Sequence, residues 1–213
     1  MKNKLMSRGC ALVLAAVYIQ CVQAAETFVK LSSTVSLAEL KNQLALLRAN
    51  LSDTVGALGA VKASAEKPSE LTKTAADFRA RFEALESQLA TVREQAVTTR
   101  ARLRQHYDAW DKELQAMQNP TIREKAQGRL SESKEQFGKI VEAANDAKAE
   151  VVPFVSELKD IVIYLKADTS EDAVKSLSST MWKLNNRYKS VNGSIGDVIE
   201  EIDKTIKGMP KSG

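Results

Sequence analysis

The stretch Leu71–Met117, LTKTAADFRARFEALESQLATVREQAVTTRARLRQHYDAWDKELQAM, decides the fold. Within it Leu71, Ala75, Phe78, Phe82, Leu85, Leu89, Val92, Ala96, Thr99, Leu103, His106, Trp110, Leu114 and Met117 recur at intervals of three and four. That rhythm keeps one narrow face of an α-helix mostly apolar, which is a coiled-coil seam and not a strand pattern. Toward the N-terminus, Glu66-Lys67-Pro68-Ser69 separates this run from an earlier stripe of Leu37, Leu40, Leu44, Leu47, Leu51, Val55, Leu58 and Val61. Toward the C-terminus, Asn119-Pro120 closes it, and a third stripe follows: Ile122, Ala126, Leu130, Ser133, Phe137, Val141, Ala144, Lys148, Val151, Val155, Leu158, Val162, Leu165. Asp168-Thr169-Ser170 ends that one, with Thr169 or Ser170 able to cap a fourth helix that carries Val174, Leu177, Met181, Leu184, Tyr188, Val191, Ile195, Val198, Ile202 and Ile206.

Short turns make consecutive helices antiparallel, so one facing pair fixes all the others along the same seam. Placing Phe82 opposite Leu158 puts Leu85 on Val155, Leu89 on Val151, Ala96 on Ala144, Leu103 on Phe137, Trp110 on Leu130 and Leu114 on Ala126. The same reasoning sets Leu51 against Phe82 and Leu158 against Met181, so a layer takes one residue from each helix. The expected fold is all-α: an elongated antiparallel four-helix bundle with a projecting two-helix coiled-coil hairpin from about Leu103 to Ser133. A bare tip exposes its seam, which makes Trp110, Leu114 and Met117 candidate partner contacts.

The chain has 213 residues, 44% apolar and 5% aromatic, with nine Gly and four Pro, too few for an all-β fold with its frequent turns. Its formal charge of +4 owes much to the start of the chain, where Lys2, Lys4 and Arg8 precede an apolar run from Cys10 to Ile19 and the small residues around Val22-Gln23-Ala24. This is the grammar of a secretory signal over residues 1–24. Cleavage after Ala24 removes those three basic residues and no acid, so the charge falls from +4 to +1. No later apolar run approaches the ~20 residues of a membrane-spanning helix. The expected organisation is therefore a signal peptide at 1–24, a flexible N-terminus at 25–33, one helical domain at 34–207 and a flexible C-terminus at 208–213. The mature protein is expected to be periplasmic and soluble. Tyr18-Ile19-Gln20 are too large and polar to precede a lipidated Cys21.

Catalytic inventory is thin. His106 is the one histidine, and both cysteines, Cys10 and Cys21, leave with the signal, so no metal, thiol or cofactor site is expected. His106 reads as a seam residue bonded to Ser133 or a nearby charge. Glycine-rich phosphate loops, His-Glu-x-x-His and Gly-x-Ser-x-Gly are all missing from the sequence. The densest basic stretch is Arg100, Arg102 and Arg104, a candidate patch in which Arg100 and Arg104 share a helical face and Arg102 does not. Glu94, Asp108 and Glu142 are near enough in the expected packing to neutralise it. No aromatic residues interleave with it, which argues against nucleic acid. Pro153 inside the third stripe reads as a tolerated kink, and Gly193 and Gly196 as close packing against a neighbour.

Two further stretches give a family resemblance. His106-Tyr107-Asp108-Ala109-Trp110-Asp111-Lys112-Glu113-Leu114 with Asn119-Pro120-Thr121-Ile122-Arg123, and Val151-Val152-Pro153-Phe154-Val155 with Asp160-Ile161-Val162-Ile163-Tyr164-Leu165-Lys166, resemble the bacterial family of domain of unknown function 2959 over roughly Leu37 to Ile206. The resemblance implies an exported, mostly α-helical protein. The family is commonly lipidated, whereas the residues before Cys21 depart from that pattern; it also continues with a His-Asn-Leu-Asn-like turn where this chain has Ala167-Asp168-Thr169-Ser170. It brings no activity, cofactor or catalytic residue. The expected function is a non-enzymatic periplasmic scaffold or adaptor that contacts a protein partner, with monomer and homodimer both open. The alternative is a membrane-surface binding or remodelling module, disfavoured by the balanced charge.

Overall fold

The computed structural model describes the backbone over residues 4–209 and side chains from Thr34 to Met209. The expected export signal with Cys10 and Cys21, and residues 210–213 of the C-terminus, lie outside the described side chains. Four helices make up the described residues: α1 (Lys4–Ala63), α2 (Pro68–Ala116), α3 (Pro120–Ala167) and α4 (Glu171–Gly208). With 49 residues, α2 is roughly 74 Å long at ~1.5 Å per residue. The backbone of α1 is helical through residues 25–33, where a flexible segment is expected from the sequence.

Local chemistry sets the boundaries. Pro68 and Pro120 occupy first-turn positions, where a missing N–H costs no helical hydrogen bond. The Asn119 side chain accepts from the backbone N–H groups of Thr121 (3.0 Å) and Ile122 (3.2 Å). Ser170, and not Thr169, caps α4 by accepting from the N–H of Ala173 at 3.2 Å; the Thr169 hydroxyl instead donates back to the Leu165 carbonyl. Helix α3 passes through Pro153 unbroken, with Pro153 on the solvent side, so the unpaired carbonyl one turn earlier can reach water.

The helices form a square in which α1 packs on α2 and α4, α3 packs on α4, and α2 and α3 meet most loosely. The layer of Leu51, Phe82, Leu158 and Met181 is buried on all four helices. Every stripe position of α1 from Leu37 to Val61 is buried as well. Helix α3 corrects the expected phase: Ile140, Ala147, Phe154 and Ile161 are buried, while Val141, Val155 and Val162 flank the core and Lys148 is exposed. The seam takes the larger Phe154 and Ile161 over their valine neighbours, and Ala147 over the charge of Lys148, because that phase removes more apolar surface from water.

Thr99 is 2% exposed and shares a hydroxyl contact of 2.9 Å with fully buried Ser36 of α1. Its hydroxyl also donates to the Ser36 carbonyl at 3.2 Å. Gly193 has open space where a Cβ would stand, so close packing does not explain it; at Gly196 the added carbon would meet Nη1 of Arg48 at 3.4 Å. The Ser36–Thr99 pair fixes the register of α1 on α2. Thr99→Val should lower stability by about 1–3 kcal/mol by leaving a buried hydroxyl unsatisfied. Combining it with Ser36→Ala should cost less than the two single changes summed, as urea denaturation of the four proteins will report.

Candidate functional site

The α2–α3 seam contains one layer of two small residues, Ala96 opposite Ala144. Below it the seam is built from Leu85, Leu89, Val151 and Phe154, and above it from Leu103, Tyr107 and Phe137. Bulk at both ends holds the helices at a spacing that two methyl groups do not span. Ala96 and Ala144, expected as a closed layer, are consequently both exposed.

The polar bridges between these helices bracket the same gap. On one side Lys159 reaches Glu86 at 3.0 Å. On the other the Tyr107 hydroxyl donates to the Ser133 carbonyl at 3.0 Å, in the expected register, and Lys134 pairs with Asp111 at 2.9 Å. Between them lies an open groove of about 480 Å³, with Leu37, Leu40 and Ile140 at its floor and Ala96, Val97, Ala101 and Ala144 on its walls. It continues into a second hollow of about 420 Å³ beside Tyr107, Asp108 and Lys134. Val97 at the lip is 71% exposed, the most exposed of the large apolar side chains described.

Arg100 and Arg104 line both hollows. Arg102 faces elsewhere, as its spacing predicts, and meets Glu39 of α1 at 3.9 Å. Arg100 and Arg104 form no ion pair with any described residue, so Glu94, Asp108 and Glu142 do not neutralise them by direct contact; Asp108 does line the hollow beside Arg104.

A separate cleft of about 650 Å³ lies where α4 ends, lined among the described residues by Trp110, Glu132, Lys139, Glu201, Lys204 and others. His106 borders it, 8% exposed, with its ring 5.7 Å from that of Tyr107 and 5.8 Å from that of Trp110. Ser133, one of the two kinds of partner expected for His106, is bonded by the Tyr107 hydroxyl. Lys204 sits between Glu200 (2.8 Å) and Glu201 (2.7 Å), and these hydrogen bonds, Glu200's first, raise its pKa well above the usual lysine range. Among the described residues no group of three or more His, Cys, Asp or Glu could hold a metal ion.

The three tip candidates do not share one exposed surface. Leu114 is 5% exposed, and Trp110 and Met117 are half-buried against the core. The exposed apolar residue of the tip is Ile122, at the start of α3. Trp182, absent from the seam pattern, is 61% exposed beside Lys62 and Gly59 of α1; its place one residue past the seam position Met181 is the signal that puts it outside. Two of the three basic-patch residues, Arg100 and Arg104, in contrast lie on the groove.

A family model described as Protein of unknown function (DUF2959) matches residues 48–209, and the chain belongs to that family. No curated protein and no solved structure matches it. The matched span takes in Ala96, Arg100, Arg104 and Ala144, whereas Leu37 and Leu40 of the groove floor precede it.

Burial raises the pKa of Tyr107 above its ordinary value near 10, a shift opposed by the Ser133 hydrogen bond and by Lys134. A proton held more tightly in the folded state gives stability that is complete below pH ~10 and lost as pH rises through the raised value. Tyr107→Phe, which loses the hydrogen bond to Ser133, should be less stable by about 1 kcal/mol at neutral pH. It should also lose less stability than wild type as the pH is raised above 10 in thermal melts.

Proposed function

We propose that this protein is a non-enzymatic helical scaffold or adaptor of the periplasm, exported through a signal over residues 1–24, and that the α2–α3 groove seats a partner protein. The observation that carries this reading is the coincidence of an open apolar groove with two arginines that have no ion-pair partner among the described residues. Groove walls of Ala, Val, Leu, Ile and Phe offer van der Waals surface, and Arg100 and Arg104 offer directional charge, which is the anatomy of a binding surface. No described helix is long and apolar enough to cross a membrane, which is compatible with a soluble mature chain.

A photo-crosslinking residue at Val97 tests the reading in cells, with Lys183 on α4 as the control position. A discrete protein adduct should form from Val97 and not from Lys183. Ala144→Leu should abolish the adduct while raising stability by about 0.5–2 kcal/mol, because a leucine fills the groove and buries apolar surface. The purified periplasmic form should begin at Ala25 by mass spectrometry. Equal adducts at both positions, or an adduct indifferent to Ala144→Leu, would contradict the groove as the contact surface.

A further inference from the structure

We infer that the occupant of the groove is an amphipathic helix of a partner protein, with acidic side chains four residues apart along one edge of its apolar stripe. The inference rests on the adaptor reading and specifies its partner. On α2 the hollows run from Ala96 to Asp108, roughly 18 Å at the rise of an α-helix, about three turns of a seated helix. Ala96, Ala101 and Ala144 keep the walls low, so a helix can approach to the ~8–10 Å axial separation of ordinary helix packing. Its apolar stripe would cover the floor and Val97 while its polar face remained in water.

Charge sets the edge. Arg100 and Arg104 stand one helical turn apart, and Glu or Asp residues at the same interval on the guest helix meet them in step. Asp108 at the far end and Lys134 already paired with Asp111 leave no second cationic position there, so the acids belong at the Arg100 end. An acyl chain suits the groove less well. The hollow is open to solvent along its length, and an alkyl tail lying in it would keep much of its surface in water, whereas a helix has a polar side to present.

The test uses the purified protein and two synthetic helical peptides of roughly 18 residues with the same Leu/Ala stripe, one with Glu at two edge positions four apart and the other with Lys there. Fluorescence anisotropy should show the Glu peptide binding at least about tenfold more tightly, with the preference reversed by R100E/R104E. Ala144→Leu should weaken both peptides without lowering the melting temperature. Equal binding of the two peptides, or a preference that R100E/R104E leaves intact, would overturn the inference. So would sedimentation with phosphatidylglycerol vesicles that R100E/R104E abolishes, if no peptide preference accompanies it; that result assigns the arginines to anionic lipid. Failure with the peptides while the Val97 adduct persists in cells refutes the acidic helix alone; loss of the adduct refutes the adaptor reading itself.

Discussion

Large side chains at two levels of the α2–α3 seam hold the helices at a fixed separation, and the layer between them is too small to fill it. Leu85, Leu89, Val151 and Phe154 set the separation on one side of Ala96 and Ala144; Leu103, Tyr107 and Phe137 set it on the other. Closing the gap would force helices of 49 and 48 residues to bend toward each other, against the continuous hydrogen bonding of both. The separation is maintained from behind, because α1 packs intimately on α2 and α3 on α4. Each helix that borders the groove is therefore anchored by a partner on its other side.

Much of this was legible in the sequence because a seam is a periodic object and antiparallel pairing follows from a single register. The layer of Leu51, Phe82, Leu158 and Met181 and the Tyr107–Ser133 contact both fall in that register. The phase of α3 was less legible. Near Ile140-Val141, Ala147-Lys148, Phe154-Val155 and Ile161-Val162 two adjacent residues compete for each seam position, and a count of intervals does not choose between them. Side-chain size and the cost of burying Lys148 do. The groove was visible only in part: Ala96 opposite Ala144 can be read off the pairing, but whether two helices close over a pair of alanines depends on the bulk of the layers above and below.

Polar residues on the seams follow the same logic. A hydroxyl in an apolar layer is tolerated when it finds a partner, and Ser36 with Thr99 and Tyr107 with Ser133 each do so across a helix pair. These contacts specify register more than they add stability, since a net hydrogen bond contributes only about 1 kcal/mol. The surface ion pairs add little individually. Arg100 and Arg104, without an ion pair among the described residues, stand apart from this pattern, because neither register nor stability accounts for their placement beside an apolar hollow.

The groove exists only if the α2–α3 seam is open at Ala96 and Ala144, and thiol accessibility measures that directly. In the full chain with Cys10 and Cys21 changed to Ser, single cysteines at Ala96 and Ala144 should react with a maleimide at the rate of one at exposed Lys183, while one at Leu103 should be protected. Protection of both Ala96→Cys and Ala144→Cys to the level of Leu103→Cys would mean that the seam is closed, and the groove with its two arginines would no longer be a site.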